Sequence, residues 1–288
     1  MRLSVSLLCS IERIDKNKMI KNFLFTGDTH GRVLERIERI KHYPPEETAL
    51  VILGDVGLNF YMNKTDAKKK QAVQDTGYII YCVRGNHEER PENLKHIIYT
   101  YDHEIKGQVM IEEEYPNIRY LIDGHSYNFE GLWTLVIGGA YSVDKYWRLG
   151  NLSEDTNAWT GWFRDEQLKD WEMKEIELDV QGKQFDMVLT HTCPYSWMPT
   201  DLFLTQVKQD TVDNTMEKWL DNLKDTFKWK IWLFGHFHGS RAERPGVEML
   251  FTDIEDLNTI KKRWYFGKRP RLEWWMPKGP NYYMEAKE

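Results

Sequence analysis

Five short apolar runs in this chain each end at a cluster of metal-binding side chains, and that repetition restricts the fold more than any other feature. Phe23–Thr26 leads into GDTHG, with Asp28 and His30, and Ala49–Leu53 leads into GDVG, with Asp55. Tyr78–Val83 leads into RGNHE, with Asn86 and His87, Phe185–Leu189 into THTCP, with His191, and Ile231–Phe234 into GHFH, with His236 and His238. Short apolar runs bounded by glycine or polar turns read as buried strands, and loops at strand carboxyl ends are where open α/β sheets gather their sites. Between the first two runs Val33, Leu34, Ile37 and Ile40 recur at helical spacing, and Asp66–Gln74 reads as a polar helix. Strand, helix and strand in alternation predict an α/β fold.

Beyond Asn93 the pattern changes. Ile118–Ile122, Tyr127–Phe129 and Leu132–Ile137 read as short strands separated by Asp-Gly and Glu-Gly turns, which predicts a meander or a second sheet. Tyr141–Trp162 is polar, rich in tryptophan and without period, long enough for a functional loop or a cap over a site. A helix is expected from about Asp165, another around Thr215–Leu223, and a closing strand over Met249–Ile254. This divides the chain into an extension over residues 1–18, one domain over 19–260 and an aromatic, basic tail over 261–288. The tail has two readings: packing on the domain through its Trp and Tyr side chains, or a nucleic-acid surface of cations and stacking rings around Lys261, Lys262, Arg263, Lys268, Arg269 and Arg271. The first is preferred.

The formal net charge of −6 argues against broad electrostatic binding of nucleic acid, which usually relies on a positive surface. Cys9, Cys82 and Cys193 are too scattered for a disulfide framework or a paired-cysteine zinc site. VSLLC, near the start, is too short for a signal peptide, and the apolar runs fall far short of the roughly 18 residues of a membrane span. A cytoplasmic protein with no membrane partner is expected.

Asp, Asn and His side chains offer oxygen and imidazole nitrogen to divalent ions. Two such ions close together repel each other, so a site for both needs a shared carboxylate and neutral ligands to complete each shell. Asp55 is the candidate bridge, with Asp28, His30 and His238 completing one ion and Asn86, His191 and His236 the other. If His236-Phe237-His238 is extended, its two imidazoles leave on one side and reach adjacent ions. Gly27, Gly54, Gly85 and Gly235 precede ligands, where a missing Cβ permits sharp turns and a close approach of backbone to metal or phosphate. Asp28 alone could be a helix cap, but four matching clusters downstream favour ligation. The mixed donor set accepts manganese, the preferred assignment, and also iron, zinc, nickel or cobalt.

GDTHG, GDVG, GNHE, THTCP and GHFH, in this order and spacing over about Phe23–Ile254, resemble the successive motifs of the calcineurin-like metallophosphoesterase superfamily. The resemblance implies a sandwich of two mixed β-sheets flanked by α-helices, a dinuclear centre with the ligands named above, and hydrolysis of a phosphoester by a metal-bridging hydroxide. It adds His87 as the acid or charge stabiliser at the leaving oxygen. Arg84, just before GNHE, is a candidate phosphate clamp with ordinary ion pairing as its alternative. Lys145 and Arg148, after the GGAYS stretch, are candidate phosphate ligands or else solvated loop charges. Where protein serine/threonine phosphatases continue their second motif as GDxVDRG, this chain reads GDVGLNF, so it looks closer to smaller bacterial or phage-like enzymes. The expected substrate is a phosphorylated small molecule or nucleotide. The alternatives are a phosphodiesterase or nuclease acting on nucleic acid or nucleotides, and a non-catalytic binding module on the same fold.

Overall fold

Strand alternation sorts the apolar side chains into three layers. In the computed structural model, which describes residues 19–150 and 161–265, the strands are β1 (Asn22–Thr26), β2 (Thr48–Leu53), β3 (Ile79–Val83), β4 (Ile97–Asp102), β5 (Gly107–Glu112), β6 (Ile118–Leu121), β7 (Ser126–Phe129), β8 (Leu132–Ile137), β9 (Met187–Thr190), β10 (Ile231–Phe234), β11 (Arg241–Arg244), β12 (Val247–Met249) and β13 (Ile254–Asp256). They form a seven-stranded sheet in the order β13-β1-β2-β3-β6-β5-β4 and a six-stranded sheet in the order β11-β12-β10-β9-β8-β7. Both sheets are mixed: β1, β2, β3 and β6 run parallel with antiparallel strands at the edges, and β8, β9, β10 and β12 are likewise parallel.

Because successive side chains of a strand point to opposite faces, Phe23, Phe25, Val51, Leu53, Tyr81 and Val83 of the first sheet meet Val136, Met187, Leu189, Ile231 and Leu233 of the second in a shared core. Phe129 stands edge-on to Phe23 at 5.2 Å and to Tyr81 at 6.0 Å within it. The opposite faces carry Leu24, Leu50, Ile52 and Ile80 against the helix Val33–Ile40, and Val188, Trp232 and Phe234 against the helices Asp170–Val180 and Thr215–Leu223. Central parallel strands covered on both faces must be apolar throughout. TALVIL of β2 is buried at every position.

The expected sandwich of two mixed sheets flanked by helices is therefore the fold, with some local differences. The expected meander is divided: β6 completes the first sheet, while β7 and β8 form a hairpin in the second, the chain crossing at Asp123–Gly124. Met249–Ile254 likewise contains the end of β12 in one sheet and the start of β13 in the other. The helix expected from Asp165 begins at Asp170, and Tyr141–Trp162 contains a short helix at Lys145–Gly150. The extension over 1–18 and the tail beyond Tyr265 lie outside the described residues. No helix among the described residues is long and apolar enough to cross a membrane.

Candidate metal centre

β1, β2, β3, β9 and β10 all point their carboxyl ends toward one edge of the sandwich, and their following loops bring the candidate ligands together there. One group is Asp28, His30 and His238; the other is Asp28, Asp55 and His191. In each, donor atoms lie within 4.8 Å of one another. Asn86 joins the second group, its Oδ1 standing 2.8 Å from His191 Nε2, and the His236 ring packs on that of His191 at 5.0 Å between centroids. All seven ligand candidates therefore converge.

The hydrogen-bond network makes the donor set fit a cation. His191 Nδ1–H donates to the Leu53 carbonyl at 2.7 Å, which leaves Nε2 of a neutral imidazole as an acceptor. Asn86 Nδ2–H donates to Ser142 Oγ at 2.9 Å, so the atom facing Nε2 is also an acceptor. Two acceptors 2.8 Å apart repel each other unless a proton or a metal ion intervenes. Asp28 Oδ1 accepts the His236 amide at 2.9 Å, whereas Oδ2, buried, has no hydrogen-bond partner and faces the imidazoles of His238 at 3.3 Å and His30 at 3.9 Å. A divalent ion would satisfy both features.

The electrostatics agree. Burial alone would raise the pKa values of Asp28 and Asp55, yet both are held below the usual carboxylate range by the imidazoles around them, His238 and His191 for Asp28 and His191, His87 and His30 for Asp55. Burial, then His191, lowers His236 to about 3, which keeps it a neutral ligand. Four of the residues, His30, Asp55, His236 and His238, adopt positive φ of 46°, 47°, 68° and 53°. Such backbone costs about 1–3 kcal/mol per non-glycine residue and persists at functional sites where the surroundings impose it.

GHFH is therefore not extended: both its histidines are left-handed, and they separate, His236 against His191 and His238 stacked on Phe251 at 4.6 Å. The glycines bear out the expected turn at Gly54, whose φ is 92°, and also make room for side chains. A Cβ on Gly54 would meet the His191 ring at 2.1 Å, and one on Gly85 would meet Asp55 Oδ1 at 2.1 Å. The space these two leave is filled by the ligand candidates His191 and Asp55.

Arg84 corrects a further expectation. It is buried and bonded internally, through Nε to Asp123 at 2.8 Å, Nη1 to the Glu166 carbonyl at 2.7 Å and Nη2 to the Gly138 carbonyl at 3.2 Å. It ties the two sheets together and offers no free fork to a phosphate. Lys145 lies over the Trp162 ring at 4.5 Å, beside a cavity of about 780 Å³ that none of the seven ligand candidates lines. Arg148 bonds Asp144 and the Gly161 carbonyl, each at 2.8 Å, and these two charges act on His87. His87 donates its amide to Asp55 Oδ1 at 2.8 Å, while its ring Nδ1 is buried without a hydrogen-bond partner.

Three supporting residues carry no individual signal in the sequence. Glu88 accepts from the amides of Gly85 at 2.9 Å and Gly57 at 3.3 Å, joining the GNHE and GDVG loops. Burial and the nearby Asp55 raise its carboxyl to about 7. Its place in GNHE is the one hint. Ser142 and Glu166, behind Asn86, are the others; Ser142 stands in GGAYS, and Glu166 in an unpatterned polar stretch.

This chain belongs to the calcineurin-like phosphoesterase family, whose sequence model matches residues 21–240. A comparison with curated proteins gave no match. Phosphoester hydrolysis with bound metal is the chemistry of that family, and the fold and clustered ligands are those it requires.

Proposed function

We propose that this protein is a cytoplasmic dinuclear metallophosphoesterase that hydrolyses a phosphorylated small molecule or nucleotide. The observation that carries the reading is the placement of Asp55: its Oδ2 lies 3.9 Å from His30 Nδ1 and its Oδ1 3.5 Å from His191 Nε2, so one carboxylate faces both ligand groups. Asp28, His30 and His238 would hold one ion, Asn86, His191 and His236 the other, and Asp55 both; manganese is the first metal to supply. Ions held there contribute Lewis-acid polarisation of the phosphoryl group and an acidified water as nucleophile.

The protein's own part is orientation and proton supply. His87 has an unpartnered ring nitrogen beside the centre, and its ring lies 5.8 Å from that of His30. Burial lowers its pKa, and Asp55 opposes this. A dianionic phosphoester arriving next to it favours the imidazolium further, which couples protonation to substrate binding and readies His87 to donate to the leaving oxygen. Arg148, whose charge acts on His87, and Lys145, one turn earlier in the helix Lys145–Gly150, are assigned to substrate contact.

The reading is tested by supplying Mn²⁺ and screening phosphomonoesters, bis-esters, cyclic nucleotides and single-stranded nucleic acid, with Asp55→Ala as control. Turnover of at least one class, lost in the variant, is expected. A metal-replete protein inert toward all of them would leave the non-catalytic binding module as the better account. The nuclease alternative draws little support from the described start of the tail, where Lys261 pairs with Glu130 and Arg263 with Glu248 and Glu255. Lys268, Arg269 and Arg271 lie outside the described residues.

A further inference from the structure

An asparagine can ligate a hard cation only through its carbonyl oxygen, and an amide that turns over presents two N–H donors to the ion instead. Something must therefore hold Asn86 the right way round. Its Oδ1 faces His191, and the discrimination comes from the other end of the amide, where Nδ2 meets Ser142 Oγ at 2.9 Å. A hydroxyl can donate or accept, so Ser142 alone would not choose. It is made to choose by Glu166, whose Oε2 takes the Ser142 hydroxyl proton at 2.5 Å while Oε1 takes the Ser142 amide at 3.1 Å. With its proton committed to Glu166, Ser142 Oγ turns a lone pair to Asn86 and must be met by an N–H. Asn86, Ser142 and Glu166 are all buried, so water does not substitute.

We propose that Ser142 and Glu166 are positioning residues that fix the amide orientation of Asn86 and thereby set the affinity of the ion it holds. The inference rests on the dinuclear reading above and adds a directional relay to it. Glu166 is suited to this role because both groups that bond to its carboxylate are donors, the Ser142 amide and the Ser142 hydroxyl. A glutamine in its place fits the space but not the pattern. If its amide nitrogen met Ser142 Oγ, the hydroxyl proton would be pushed toward Asn86 and favour the turned amide; if it met the Ser142 N–H, two donors would oppose each other.

The test is metal binding by the whole protein, read by titration calorimetry with Mn²⁺ and by elemental analysis, with circular dichroism to check folding. Ser142→Ala and Glu166→Gln should each weaken one of the two ions by about 10- to 100-fold and leave the other unchanged, the range typical when a group orienting a metal ligand is removed. The pair combined should lose no more than the larger single loss, since both act through one amide. In an Asn86→Asp background, where either oxygen can ligate, Ser142→Ala should cost little; a merely structural serine would cost as much as before. Should Ser142→Ala fail to fold, Glu166→Gln, nearly the same in shape, carries the test alone. Both variants binding two ions at wild-type affinity would overturn the inference and leave the dinuclear reading intact. Wild-type protein that takes up no metal ion would overturn that reading and the inference together.

Discussion

The two halves of the centre are built differently. On the inner side Asp55, Asn86 and His191 are fully enclosed and each is aimed by protein: His191 by the Leu53 carbonyl, Asn86 by Ser142, and Asp55 by the amides of Asn86 and His87 at 2.9 and 2.8 Å. On the outer side the His30 and His238 side chains are 36% and 39% exposed, and their Nε2 atoms stand 2.9 Å apart. Buried side chains anchored by protein bonds at one end hold their geometry before any ion arrives, whereas exposed ones are aimed largely by the ion itself. In the proposed dinuclear reading, the difference separates a preorganised position from an adaptable one.

The strongest challenge to this contrast is removal of the residue that spans it. Asp55→Ala should lose both ions and reduce turnover by on the order of 10³-fold or more, since the ions contribute several kcal/mol to the transition state; elemental analysis that found both ions retained would end the assignment of Asp55 as a bridge. His87→Ala should instead keep both ions and lose about 10² to 10⁴ in kcat. A drop in metal content would make His87 part of the centre's scaffold.

Stability should divide along the same line. In metal-free protein, His191→Ala leaves a cavity and orphans the Leu53 carbonyl, and should cost about 4 kcal/mol in denaturant unfolding. His30→Ala should stay within about 0.5 kcal/mol. Equal losses would abolish the distinction. The inner half also has a pH-sensitive neighbour in Glu217, which accepts the Thr192 hydroxyl at 2.7 Å and is raised by burial from an ordinary 4.5 to about 7. The folded protein therefore holds a proton that the unfolded chain has released, so stability falls as pH rises from about 4.5 to 7 and stays low above that. Glu217→Gln should remove up to about 3 kcal/mol of this fall, with its benefit visible at pH 8 and absent at pH 4. Parallel curves for variant and parent would exclude the effect. The last expected signal is kinetic: a chelator should extract one ion before the other, and His30→Ala should speed the loss of the first to leave; simultaneous release of both ions would count against the contrast.

The convergence of the ligand candidates was legible because each follows an apolar run within a few residues, so local pattern and chemistry coincide at Asp28, Asp55, Asn86, His191 and His236. What lay hidden depends on residues distant in the chain. Glu166 is 80 positions from Asn86 and reaches it only through Ser142, and Arg84 meets Asp123, Gly138 and Glu166 across the join between the sheets. The hairpin β4–β5 carried no clear signal because β4 is an edge strand, with Tyr99 and Tyr101 exposed, and so lacks the buried run that marks β1, β2 and β3. The bent GHFH segment eluded a period-two reading for a related reason: its backbone is dictated by what His236 and His238 must reach.

The left-handed backbone at His30, Asp55, His236 and His238 bears on how this centre can change. Asn, Asp, His and Gly tolerate such a conformation, while β-branched and most other side chains resist it. A cysteine or glutamate introduced there to attract a different ion would meet backbone strain as well as a new donor, so a library at these four positions should return few survivors, mostly His, Asn, Asp or Gly. The metal preference of the proposed centre is consequently hard to retune one ligand at a time, and mutational drift has easier access to positions away from these four, where the backbone sets no such limit.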